Sequence, residues 1–400
     1  MSVPIHKSDG IFPFSFDFVK NAAVFTGTVG YSYGDFYRVN IPTHRIFVVT
    51  DPNILHHVLV SNESKYEKSR IYWKELKKII GNGLGSLEGD EWLFLRNFQK
   101  PFYTKSVVST YLDDIIEINY HFLNSWNSYV QNNQSFNAIH HFAELNTAII
   151  LKTIFGTNAI DECSEIAKYI ADGEATIAWR SKYPWRPYLA WLTGANQRAE
   201  KYLNYFDQFT EQCIHKRKNE EDSNFTLLDK FIKHLSDNES DRFTPKDIRN
   251  EFIVHLGAGT ETAAVAKAWI LYLLKMNPEV YFKIRKEIEL VIGNEKIKKE
   301  HLADLVYTKQ VIEEGIRLFP PSHAIVRDCI QEDEINGEKI KIGDTMYISV
   351  YGLHRNPRYW DAPDDFIPER FSPDNEEHIN RKAYIPFGAG KHHCIGRYLA

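Results

Sequence analysis

The chain has 400 residues, 43% hydrophobic, 25% charged and 14% aromatic, a composition that supports a large globular core and excludes extended disorder. A formal net charge of −5 argues against a nucleic-acid-binding surface, which would be basic. Cys163, Cys213, Cys329 and Cys394 stand far apart without paired spacing, so a disulfide framework is not expected and a reducing, cytoplasmic setting fits.

No apolar run approaches the roughly 18 residues a bilayer span needs, so no membrane-spanning helix is expected, and Met1 to Gly27 lacks a signal-peptide core. From Asp35 to Thr50 two β-rich runs flank Pro-Thr-His and predict two strands round a turn, after which Asp51-Pro52 opens a helix. A glycine-containing stretch, Gly81 to Gly89, precedes a helical pattern that places Trp92 and Arg96 four apart on one face. From Tyr111 to Lys218 the periodicity is helical. One segment departs from it: Trp179, Tyr183, Trp185, Tyr188 and Trp191 crowd together with Arg180, Lys182, Arg186 and two prolines. It reads either as a proline-stiffened surface loop whose rings pack downward, or as a flat, hydrogen-bonding platform for a polar ligand such as a sugar ring.

The longest helix pattern begins at Thr244-Pro245-Lys246-Asp247, with a threonine N-cap, proline at the first position and an acid at the third, and continues to Met276. Inside it lies Gly257-Ala258-Gly259-Thr260-Glu261-Thr262. Each mid-helix glycine costs about 1 kcal/mol relative to alanine, so a close approach is expected there, by a flat ligand or by another helix. Thr262 is placed to bond back to the Ala258 carbonyl and weaken the helix ladder. Glu314-x-x-Arg317 follows on a further helix; the same pattern at Glu67 to Arg70 and Glu239 to Arg242 reads as solvated-face pairing. Ser322 to Arg327 reads as a strand, Ile335-Asn336-Gly337-Glu338 as a tight hairpin, and Pro368-Glu369-Arg370-Phe371 comes next.

Last is Phe387-Gly388-Ala389-Gly390-Lys391-His392-His393-Cys394-Ile395-Gly396-Arg397. Glycines allow the turn and leave room for a flat group. A thiol beside bases, before a sequence that could start a helix, is in a setting that favours thiolate, the form a soft metal centre needs. A buried structural thiol, or zinc held by His392, His393 and Cys394, are the other readings of this loop.

Phe387, Gly390, Cys394 and Gly396 reproduce the haem-binding loop of the cytochrome P-450 superfamily, F-x-x-G-x-x-x-C-x-G, which the chain therefore resembles. The resemblance implies a mainly α fold, the helical prism of that superfamily with a small β-rich lobe, as a single domain over residues 1–400. Members continue past the cysteine through a full helix and a sheet element, so the sequence is expected to be clipped at its C-terminal end. It implies haem b, with Cys394 as iron ligand and with Trp92, Arg96, Ala258, Gly259, Arg327, Phe387, Gly390, His392 and Gly396 as cofactor-binding residues, His393 being a bystander. Glu261 and Thr262 match the family's acid and alcohol that deliver protons during oxygen activation, and Glu314, Arg317 and Arg370 its buried charge network.

By the same resemblance the activity is monooxygenation of a small-molecule substrate with O2, by hydroxylation or oxidative O-demethylation. Ferredoxin and ferredoxin reductase are the expected electron donors, docking on a surface made basic by Lys100, Lys391 and Arg397. Family precedent favours a lipid or terpenoid substrate. Trp179, Tyr183, Trp185, His255 and His323 point instead to a methylated sugar. A haem-thiolate isomerase or peroxygenase that does not use O2 is the alternative chemistry, and a haem sensor would need a partner domain that is not visible.

Overall fold

The computed structural model describes residues 3–6, 15–41, 44–181, 186–189, 191–219, 225–236 and 243–400. The chain divides into two compact units: Met1–Arg70 with Trp269–Glu295 and His301–Cys394, and Ile71–Ala268 with Lys296–Glu300 and Ile395–Ala400. Helices dominate, together with a small mixed sheet, as the sequence reading expects.

The first unit holds every strand found among the described residues. Its sheet has the order β1(Ile5–His6), β2(Phe36–Ile41), β3(His44–Val49), β8(Thr345–Ser349), β5(Ala324–Cys329), β4(Tyr66–Lys68), while β6(Asp333–Ile335) and β7(Glu338–Ile340) form a separate hairpin. β2 and β3 are antiparallel, in register at Tyr37 and Val48; β3 runs parallel to β8, which pairs antiparallel with β5. The hairpin turn uses Asn336 and Gly337 with φ of 53° and 80°, the two left-handed positions that an Asn-Gly pair supplies most readily. Phe47, Val49, Leu55, Met346 and Leu353 are buried together on this sheet. The helix Pro52–His56 starts as its sequence dictates: Asp51 accepts from the N–H groups of Asn53 and Ile54 at 2.7 and 3.0 Å. Directly after it His57–Ser61 widens into a π turn, whose Leu59 carbonyl bears on the cysteine loop described below.

The second unit is helical, around one core that includes Leu151, Ile154, Phe155, Ile166, Phe206, Phe231 and Phe252. The longest helix among the described residues is Pro245–Met276: 32 residues, about 48 Å at 1.5 Å per residue. Thr244 and Asp247 close its N-terminus reciprocally. The Asp247 carboxylate accepts from the Thr244 N–H at 2.8 Å, and Thr244 Oγ1 accepts from the Asp247 N–H at 3.3 Å. Residues 245–268 count with this unit; Trp269 onward belongs to the first, where Trp269 stacks on Phe319 at 4.0 Å and Ile270 fills the space over Gly315.

Candidate active site

The cysteine loop is built on two left-handed glycines, Gly388 at φ 72° and Gly390 at φ 69°. A Cβ on Gly390 would lie 1.9 Å from the Leu59 carbonyl oxygen, so both backbone angle and space demand glycine there. The Gly388 N–H donates to Ile385 O at 3.0 Å and the Cys394 N–H to Phe387 O at 2.8 Å, closing the loop and fixing the cysteine. His393 turns back on the loop, its N–H and Nδ1 both at the Gly390 carbonyl. The Lys391 N–H donates to Glu63 Oε2, and its ammonium lies 3.6 Å from Glu63 Oε1.

Cys394 is exposed, whereas Cys163, Cys213 and Cys329 are buried. Burial pushes the Cys163 and Cys213 thiols up to about 12, so these two are inert at neutral pH. The reading of Cys394 as a buried structural thiol does not hold. Residues 395–399 form turns, with Leu399 and Ala400 N–H groups both on Gly396 O. Among the described residues no three His, Cys, Asp or Glu side chains gather so as to hold a bare metal ion, which removes the zinc reading. An exposed thiol on a glycine-built loop fits a metal whose other ligands arrive with it, as haem iron does.

On the long helix, Thr262 Oγ1 donates to Ala258 O at 2.6 Å, the back-bond expected from the sequence. Ala258 and Thr262 are exposed on one face, while Thr260 and Ala264 are buried on another. Glu261 is half-buried; its buried Oε2 has no hydrogen-bond partner among the described residues, and desolvation raises its pKa, which keeps a proton on it closer to neutral pH. The two glycines differ. A Cβ on Gly257 would meet nothing nearer than Glu174 Oε1 at 3.8 Å, but one on Gly259 would sit 2.6 Å from Ile150 Cδ1. Gly259, expected to make room for a flat ligand, instead admits the helix Ala138–Phe155.

Glu314 and Arg317, both fully buried, form a two-point ion pair: Arg317 Nε and Nη2 donate to the Glu314 oxygens at 2.7 and 2.8 Å. Arg317 also donates to the carbonyls of His354, Pro363 and Asp365. Arg370 Nε reaches Glu314 Oε1 at 3.3 Å, and Arg370 Nη2 donates to Ala362 O. Glu67 and Arg70 pair on the surface, and Glu239 to Arg242 lie outside the described residues. Trp92 and Arg96 are buried on the helix Gly89–Gln99. Arg327 lies on β5, with its Nη1 on Val326 O.

The residues suggested for a polar substrate fare differently. Tyr183 and Trp185 lie outside the described residues. The Trp179 ring is covered by the Arg186 guanidinium at 5.3 Å. His255 is a core histidine, contrary to its expected role: Tyr103 Oη lies at 2.8 Å from Nδ1 and Gln99 Oε1 at 2.6 Å from Nε2, so both ring nitrogens are engaged. Burial holds its pKa down at about 4, so the ring is neutral. His323 is exposed at the entry to β5.

Sequence reasoning missed two buried groups. The Glu251 carboxylate accepts from the Leu84 N–H and Gln99 Nε2, both at 2.8 Å, and anchors the glycine stretch that precedes Trp92. His354 is fully buried, with Nε2 accepting from the Ile385 N–H at 3.0 Å, and ties the base of the cysteine loop to the Arg317 network. No local signal marks either; their partners stand 31 to 167 positions away.

The model of the family described as "Cytochrome P450" matches residues 20–400. The chain is 30% identical to "Cytochrome P450 4V2" of Mus musculus over 367 residues, covering 86% of this chain and 69% of that protein. It is 26% identical to "Cyclooctat-9-en-7-ol 5-monooxygenase" of Streptomyces melanosporofaciens over 373 residues, 92% of this chain and 79% of that one. Fold, thiol loop and relatives together define a haem-thiolate monooxygenase, an enzyme that carries haem b and uses O2, a small-molecule substrate and a redox partner. The chain belongs to the cytochrome P450 family. The isomerase or peroxygenase alternative is not favoured by these relatives.

Proposed function

We propose that Cys394 would supply the thiolate that holds the haem iron of this monooxygenase and that Glu261 and Thr262 handle its protons, the substrate being an apolar lipid or terpenoid. The exposed thiol that the loop built on Gly388 and Gly390 presents is the observation that carries the reading. Haem, when bound, supplies oxygen activation and attack on a C–H bond. The protein's own residues do the rest. Phe387, Gly390 and Gly396 shape the loop that presents the sulfur, Ala258 offers a small exposed surface for a flat group, and Trp92, Arg96, Arg327 and His392 would hold its carboxylates. Gly259, which faces Ile150, is left out of this set. Thr262 Oγ1, held on Ala258 O, and the desolvated Glu261 carboxyl give a donor pair on consecutive residues of one helix turn.

Among the described residues His255 and Trp179 are engaged by other protein groups, which favours hydroxylation of an apolar compound over O-demethylation of a methylated sugar. The name of the Streptomyces relative, a monooxygenase of a cyclic alcohol, points the same way. Titration of the ferric enzyme with terpenoid alcohols and long-chain fatty acids should shift the haem spectrum, and O-methyl sugars should leave it unchanged; the reverse pattern overturns the substrate assignment.

Electrons are assigned to a ferredoxin and its reductase. Lys100, Lys391 and Arg397 are exposed bases suited to an acidic partner, although Glu63 offsets Lys391. Raising salt should slow reduction by ferredoxin, and a salt-independent rate would contradict this docking. Cysteines that form no disulfide among the described residues suit a reducing compartment such as the cytoplasm. The two units are taken to work as one catalytic domain.

A further inference from the structure

The helix Ala138–Phe155 does more than pack against the long helix. Lys267 is partly buried, and no carboxylate pairs with it among the described residues; its Nζ donates to Asn146 Oδ1 at 2.5 Å and lies 5.9 Å from the Phe142 ring centre. Desolvation lowers its pKa to about 8. The other end of the same amide, Asn146 Nδ2, donates to Thr260 O at 2.9 Å. An ammonium has no acceptor and a carbonyl no donor, so the orientation of the Asn146 amide is fixed by its two partners. Beside it Thr147 Oγ1 lies 3.1 Å from Thr260 Oγ1, and Gly259 admits Ile150.

In a regular helix the Thr260 carbonyl accepts the Ala264 N–H. Here it also receives the Asn146 amide, polarised by the ammonium behind it, so the helix bond is shared. One residue on, Glu261 and Thr262 begin the pair to which proton handling is assigned above, and Thr262 bonds back to Ala258. The same stretch of helix is therefore gripped from outside at Thr260 and loosened from within at Ala258.

We propose that Asn146 and Lys267 are positioning residues for the Glu261–Thr262 pair, acting through the Thr260 carbonyl; this rests on the proton-handling reading of that pair. Product formed per reductant consumed should fall about 2- to 30-fold in Lys267→Met and Asn146→Leu, the lost electrons appearing as hydrogen peroxide, while the ligand-induced haem shift keeps its midpoint. Lys267→Arg, which keeps cation and donor, should restore coupling. Asn146→Asp separates positioning from stability: it can pair with Lys267 but cannot donate to Thr260 O, so it should fold and still uncouple. Hydrogen exchange on the substrate-free holoenzyme gives a readout independent of turnover. The Ala264 amide should exchange more slowly in Asn146→Leu, because its bond is no longer shared. Asn146→Asp with full coupling, or unchanged exchange at Ala264 in Asn146→Leu, would overturn the proposal. Thr262→Ala serves as the control: if it stays coupled, the reading of the pair fails, whereas if it uncouples and the Asn146 and Lys267 variants do not, only the positioning role fails.

Discussion

Replacing Arg317 by methionine tests what the buried ion pair does for the fold. Neither Glu314 nor Arg317 exposes any side-chain surface, and Arg317 makes five hydrogen bonds: two to Glu314 and one each to the carbonyls of His354, Pro363 and Asp365. Methionine fills much of the volume but strands the Glu314 carboxylate, with only Arg370 and the Ile367 N–H left to it. Breaking a buried pair in this way costs about 3–5 kcal/mol, against a typical total stability of about 5–15 kcal/mol. The loss should appear as a lower urea midpoint for the holoprotein, followed by tryptophan fluorescence, and as release of haem at lower urea. The double variant Glu314→Gln with Arg317→Met should lose less than the sum of the two single variants, because no carboxylate is left without Arg317 and only the Arg370 guanidinium loses its ion-pair partner. An Arg317→Met protein within about 1 kcal/mol of the parent, or strict additivity in the double variant, would refute the idea that this pair holds the region together.

His354 should make stability acid-sensitive. Burial, helped by the Arg317 charge, lowers its pKa to about 3, and its Nε2 must stay unprotonated to accept the Ile385 N–H. Below about pH 6.5 the unfolded chain takes up a proton that the folded one refuses, so stability is full above that pH and falls by up to about 1.4 kcal/mol per pH unit towards pH 3. His354→Gln, compared with the parent in urea at pH 7 and pH 5, should flatten that slope; equal slopes contradict it. Gly390→Ala should give protein without bound haem, judged by the ratio of haem to protein absorbance, because its Cβ would strike the Leu59 carbonyl. The helix glycines should part company in thermal melts of the haem-free protein. Gly257→Ala should gain up to about 1 kcal/mol, because space is free there, and Gly259→Ala should lose stability against Ile150; gains at both would be inconsistent with the packing described.

Short-range signals were legible in the sequence. The Asp51-Pro52 and Thr244–Asp247 caps, the Asn336–Gly337 turn and the Thr262 back-bond each join residues at most four apart, and chain order suffices to read them. The glycine pattern of the cysteine loop was legible because a left-handed φ leaves few alternatives to glycine. What could not be read joins distant positions. Gly259 could admit either a ligand or a helix until Ile150 was located, and His255 looked available until Tyr103 and Gln99 engaged it. Lys267 and Asn146, 121 positions apart, gave no sign of their partnership.

The central claim is a bond from the Cys394 sulfur to haem iron, and the most direct measurement is the absorption spectrum of the reduced protein under carbon monoxide. Protein reconstituted with haem should give the long-wavelength band peculiar to thiolate-ligated haem, and Cys394→Ser should lose it. A band at the shorter wavelength of nitrogen-ligated haem in the parent protein, or an unchanged long-wavelength band in Cys394→Ser, would contradict the account.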